Sequence, residues 1–297
     1  MVPLLIQIAT EEMAPKPHRG HNAASSPEDA LRWIRWIQKE VCRGLALSRI
    51  QRVFQDVLAL FEGRFPGHQA CDTRYHDLEH SLRLLPPFCQ IAAALARERA
   101  DAISSRDLEL GVIAVLLHDS GYIRKKDDAA GTGAKYTFRH IDRSVAFARS
   151  YLPSLGYGED DLIAVEEMIC CTGVKAEMEQ VHFISEANQW MGYALGTSDL
   201  LAQMADSRYV EKLPLLFHEF HEAYQFEGSE RLRAMGVQTF TEPMDLIRKT
   251  PLFFQHVVVK RLAGMGSVYR LLEDPRTGRN LYLEKIQEQL ERIARIS

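Results

Sequence analysis

Cysteine is scarce and unpaired in this sequence. Cys42, Cys71, Cys89, Cys170 and Cys171 are odd in number and form no Cys-x-x-Cys pair, which argues against a disulfide scaffold and for a reduced, cytoplasmic setting. Long apolar runs are missing too: no segment approaches the roughly 18 residues needed to span a bilayer. The run from Val2 to Ile8 is followed by Glu11 and Glu12 and has no basic start, so it makes a poor secretory signal. Nor is there an excess of one charge. The 36 basic residues against 40 acidic ones leave a formal charge of −4, so no general attraction to a nucleic-acid polymer or an anionic membrane is expected. Alternating apolar and polar stretches, internal repeats and low-complexity tracts are likewise absent, which removes the sequence signal for a half-buried sheet.

What is present is helical periodicity. Ser26-Pro27-Glu28-Asp29 reads as a helix start, with a capping serine, proline in the first turn and acids facing the positive end of the dipole. Ile50, Val53, Phe54, Val57, Leu58 and Phe61 recur at helical spacing, and further helices are expected over 106–119, 140–152, 159–171, 188–205, 207–226, 251–272 and 281–296. Pro86-Pro87 should kink or interrupt a helix that starts near residue 75. The expected fold is all-α: a flexible arm over 1–25, then one helical domain over 26–297 with its functional core at about 73–224.

Leu110 to Leu117 carries no charged or polar side chain, so this helix belongs inside a core, and it ends on His118-Asp119-Ser120-Gly121. A carboxylate in such surroundings loses several kcal/mol of hydration, roughly, unless a cation compensates it. Upstream, Tyr75-His76-Asp77-Leu78-Glu79-His80 sets histidines at i and i+4, one above the other on a single helical face. Downstream, Asp199 interrupts a mainly apolar helix. Two imidazoles and two carboxylates can fill four places around one ion and leave two open, a ligand mix that does not select one metal.

The set His80, His118, Asp119 and Asp199 resembles the metal-binding signature of the HD superfamily of phosphohydrolases. The Tyr-His-x-x-x-His form of the first motif is similar to the cyclic nucleotide phosphodiesterase branch. The resemblance implies an HD-type helical bundle with extra terminal helices and a divalent ion (Mn, Fe, Co, Ni, Zn or Mg) on those four residues. It also implies catalytic roles for Asp119 and for His76, the latter as general acid. His140 is the candidate for a second, weakly held ion or its waters. The sequence departs from the two-metal pattern at Tyr122, where the phosphodiesterases have a histidine, and at Met168 to Gly173, where a later histidine would be expected. The departure at Met168 to Gly173 argues against a tightly held metal pair, and that at Tyr122 makes the match to the phosphodiesterases partial, which bears on substrate.

The polar loop 124–135 offers Arg124, Lys125 and Lys126 as candidate phosphate contacts. His218-Glu219-Phe220-His221 resembles a zinc-protease motif, but its histidines are three apart instead of four, so a solvated helix face is expected there. Asp206, before a new helical pattern, reads as a cap. The expected function is metal-dependent hydrolysis of a small, nucleotide-like phosphate ester. The rival is a sensory or regulatory protein that binds a metal or nucleotide without turnover.

Overall fold

The computed structural model describes residues 24–173, 178–234 and 236–296. Among them the fold is all-α. The helices are α1 (Pro27–Glu40), α2 (Leu47–Phe61), α3 (Leu78–Arg83), α4 (Leu85–Glu98), α5 (Ser105–Leu117), α6 (His140–Tyr151) and α7 (Glu159–Cys170), then α8 (Glu186–Met204), α9 (Tyr209–Glu227), α10 (Ser229–Ala234), α11 (Pro243–Phe253), α12 (Val259–Gly264) and α13 (Leu281–Ile296). No strand occurs among the described residues, although an isolated antiparallel bridge joins His68 and Lys125. No described helix is long and apolar enough to cross a membrane. Most of the expected N-terminal arm lies outside the described residues. At its end, Ala24 packs into the core and Ser26 accepts the Asp29 N–H to start α1.

The apolar run forms α5, and its surroundings follow from its composition. Ser104 and Asp107 close a reciprocal capping box, and every residue from Leu108 to Leu117 is buried. Helices α2, α4, α7 and α8 pack around it. Gly111 permits the approach of α4, since a Cβ there would stand 2.7 Å from Phe88 Cζ. Glu109, the one charge in that run, is satisfied by Arg49 and Arg106, each at 3.0 Å, and by the Tyr157 hydroxyl at 2.7 Å. A second apolar cluster gathers the C-terminal half of α8 with α9, α11, α12 and α13. α8 therefore belongs to both clusters, and Asp199 sits where they meet.

Two expectations about helices need correction. The segment from His76 to His80 is not one helix: α3 begins at Leu78, and Asp77 is its cap, accepting the His80 N–H at 2.8 Å. His76 precedes the helix in a bend. The expected helix over 251–272 is broken into α11, a π-turn at Phe254–Val258, α12 and a 3-10 turn at Val268–Leu272. Pro251 cannot donate to the preceding turn, and Gly266 and Ser267, both at positive φ, end α12. The interruption at Pro86-Pro87 occurs as expected. Leu84 ends α3 and begins α4, whose first turn tolerates the prolines because its N–H groups have no intrahelical partner.

A candidate metal centre

The end of α5 is fixed by backbone contacts before any ligand is considered. His118 is its C-cap, and Ser120 Oγ donates to Leu117 O at 2.7 Å. Ser144 of α6 ties the next turn down: its hydroxyl accepts the Gly121 N–H at 2.8 Å and donates to His118 O at 2.5 Å. Gly121 has to be glycine, because a Cβ there would collide with the His140 carbonyl. The Ser-Gly after His-Asp is thus the surface on which the N-terminus of α6 rests.

Four side chains from three elements converge beside this turn. His80 Nε2 lies 3.4 Å from Asp119 Oδ2 and 3.4 Å from Asp199 Oδ1, and His118 Nε2 lies 3.2 Å from Asp119 Oδ2. His80, His118 and Asp119 form a buried group able to hold a metal ion. The tautomer of His118 is decisive. Its Nδ1 donates to Val115 O at 2.8 Å, so Nε2 presents a lone pair to the carboxylate unless a proton or a metal cation stands between them. Neither His118 Nε2 nor Asp119 Oδ2 has another hydrogen-bond partner, and both are buried. Burial alone would lower the His118 pKa, but the charges of Asp119 and Asp199 push it up to about 9. Burial acts the opposite way on Asp119, yet the neighbouring histidines hold its carboxyl well below the usual range. The donor set, buried and electron-rich, fits a divalent cation.

His76 shares this cavity from outside α3. Its ring centroid is 5.3 Å from that of His80 and 4.5 Å from that of Tyr122. Its Nδ1 is 2.6 Å from Glu219 Oε2, and the other oxygen of Glu219 accepts the N–H groups of Arg74 and Tyr75 at 2.8 and 2.7 Å. Burial disfavours the charged imidazole, but Glu219 outweighs it and raises the His76 pKa. Glu219, expected on a solvated helix face, belongs to the site instead. It is buried, while His218 and His221 beside it are exposed, as expected of a solvated face.

Tyr122, standing where the phosphodiesterases have a histidine, packs against both His76 and His140, at 4.5 and 4.6 Å between ring centroids. Burial pushes its phenol pKa well up, so the ring stays neutral. His140 Nδ1 donates to Thr137 O at 2.7 Å, which leaves Nε2 facing Asp119 Oδ1 at 3.7 Å. Burial lowers the His140 pKa and favours the neutral ring. His140 thus approaches the oxygen of Asp119 that the His80–His118 group does not use.

The loop 124–135 is pinned in place. Arg124 pairs with Asp72 at 2.7 Å and donates to Asp128 O at 2.7 Å, so its guanidinium is engaged in holding the loop. Gln69 donates to Lys125 O and Asp128 O, and buried Lys135 is bound by Asp128 and Ala130 O. The side chains of Lys125 and Lys126 are exposed. Asp206 is not the cap expected of it, since α9 is preceded by Arg208 with no side-chain cap; it is buried and paired with Lys212 at 2.7 Å and Arg83 at 3.4 Å, and it accepts the Arg208 N–H at 3.0 Å in the turn before the helix. Cys171 is buried in the second cluster and Cys170 is half-buried on α7.

The family model described as Npun_R2479-like matches residues 126–282. This span is more than half of the 297-residue chain. It includes His140, Asp199, Gln203 and Glu219, and it begins after His118-Asp119. No curated protein matches the chain.

Proposed function

The chain belongs to the Npun_R2479-like family, and from the geometry of its buried cluster we propose that it is a metal-dependent phosphohydrolase of HD type that cleaves a phosphate ester. The observation that carries this reading is the pairing of a buried, electron-rich cluster with a separately held histidine. His80, His118 and Asp119 group together, Asp199 lies 3.4 Å from His80 at their edge, and His76 is held beside them by Glu219. His80, His118, Asp119 and Asp199 would hold the divalent ion, which supplies a Lewis acid for the phosphoryl oxygens and lowers the pKa of a bound water toward neutrality.

The remaining chemistry belongs to the chain's own groups. Glu219 takes Nδ1 of His76 and leaves Nε2 as the atom that delivers a proton to the departing oxygen. The raised pKa, caused by Glu219, favours retention of that proton. Tyr122 packs on the flank of His76 and keeps the ring from turning away. A group of this kind typically contributes about 10² to 10⁴ in rate.

The test is a panel of phosphomonoesters and phosphodiesters offered to the protein stripped of metal and then reloaded with Mn, Co, Ni, Zn or Mg. Metal-dependent hydrolysis of at least one class is expected. Protein that binds the ion and turns over neither class between pH 6 and 9 would be a sensor instead of an enzyme.

A further inference from the structure

Arg261 of α12 is buried, and among the described residues no carboxylate forms a contact ion pair with it. Its Nη2 donates to Cys171 O at 2.7 Å and its Nη1 to Gly173 O, so the guanidinium caps the end of α7. Nε is buried without a hydrogen-bond partner. A cap of this kind needs donors; it does not need a permanent charge withdrawn from water, and a buried charge without a counter-ion is strongly destabilising. The charge has a direction, however. α8 lies directly against the capped turn: a Cβ on Gly196 would stand 2.4 Å from Cys171 O, the atom that Arg261 binds. Asp199 is three residues further along α8, a neighbour of Gly196 on the helix surface. Burial lowers the Arg261 pKa, and Asp199 is the strongest charge acting against that. Asp199 Oδ1 meanwhile faces His80 at 3.4 Å. Arg261 thus bears on the metal cluster without taking a ligand atom from it.

We infer that Arg261 is an electrostatic positioning residue, whose fixed charge loosens the cluster's hold on the cation and draws an oxyanion to the metal. This inference rests on the hydrolase reading for the identity of the oxyanion, a phosphoryl group. Repulsion scales with both charges, so a divalent ion beside Asp199 feels the guanidinium twice as strongly as a proton would, while the anion that follows is attracted. Both interactions gain from burial, where little water or salt screens them. Without Arg261 the same ligands would hold the metal more tightly and leave one positive charge fewer for the phosphate.

Calorimetry on the full-length protein reads two affinities: Mn(II) for the chelator-stripped protein, and inorganic phosphate for the Mn-loaded one. Arg261→Gln keeps an amide donor for the carbonyls and loses the charge. It should bind Mn about tenfold more tightly and phosphate about tenfold more weakly. Arg261→Lys, which keeps the charge and gives up the fork, should stay close to wild type in both. A purely structural cap would act differently, since a loosened contact between α7 and α8 weakens both ligands in both variants. That outcome overturns the inference, as do unchanged affinities in Arg261→Gln or a wild type that takes up no phosphate. Should Arg261→Gln fail to fold, Arg261→Lys decides: wild-type affinities support the role of the charge, and joint losses overturn it. Ester hydrolysis by wild type is scored separately. Opposed shifts in a protein that cleaves nothing keep the assignment of Arg261 and sink the hydrolase reading, whereas cleavage without opposed shifts does the reverse.

Discussion

His76 Nδ1 stands 2.6 Å from Glu219 Oε2, across 143 residues of sequence. The same carboxylate binds the backbone of Arg74 and Tyr75, so one buried acid both places the bend that carries His76 and raises the pKa of its ring. A folded-state pKa above the ordinary value of about 6.5 means that the protonated form dominates below that value and is lost as pH rises through the folded pKa. Activity that needs the proton on Nε2 should follow the same course, with an alkaline limb above pH 6.5. Glu219→Gln should move this limb to lower pH, as read from kcat against pH. An unmoved limb would remove Glu219 from the proton-donor pair.

Replacing His76 by Ala should leave the metal in place and slow esters with alkoxide leaving groups by about 10² to 10⁴. Bis(p-nitrophenyl) phosphate, whose phenolate departs without a proton, should suffer less. Equal loss on both substrates would mean that His76 does something other than donate the proton. Loss of metal would make it a ligand.

His118 ties metal to proton. With its folded pKa near 9 in the metal-free protein, the charged pair with Asp119 stabilises the fold fully below about pH 6.5, and that contribution fades as pH rises through about 9. A cation takes over the role of that proton. Urea unfolding in chelator should therefore show stability falling between pH 6.5 and 9, while the metal-loaded protein changes less over the same window. Parallel pH profiles with and without metal would contradict the shared site.

Gly121→Ala tests the packing that places the centre. The added methyl meets the carbonyl of His140, a backbone atom with little room to retreat, and overpacking of this kind costs about 1 to 3 kcal/mol. Chemical denaturation should show that loss. Gly156→Ala, also glycine at a loop but with open space around its Cβ position, should show only the cost of its positive φ. Equal effects would mean that the contact with α6 is not tight.

The all-α fold and the His118-Asp119 end of α5 were legible because an uncharged run leaves few alternatives to burial. The His76–His80 spacing misled. Residues at i and i+4 share a face only within a helix, and Asp77 stops the helix between them by capping it. Glu219 was illegible because its meaning lies in a partner on a distant element, while its nearest chemical neighbours, His218 and His221, face solvent. Arg124 looked available for phosphate in a basic loop, but Asp72, some fifty residues earlier, takes up its guanidinium. Local pattern reported burial and helix ends; side chains that meet across the fold had to be seen in place.

The claim on which the rest depends is that His80, His118, Asp119 and Asp199 close around a divalent cation, and the most direct measurement is calorimetric titration of Mn(II) into chelator-stripped protein at pH 7.5. Wild type should bind the ion at a high-affinity site and release close to one proton as it does so, because His118 gives up the proton it holds without metal. His118→Ala and Asp119→Ala should each abolish that site. Wild type without a high-affinity site, or variants that bind as wild type does, would contradict the assignment.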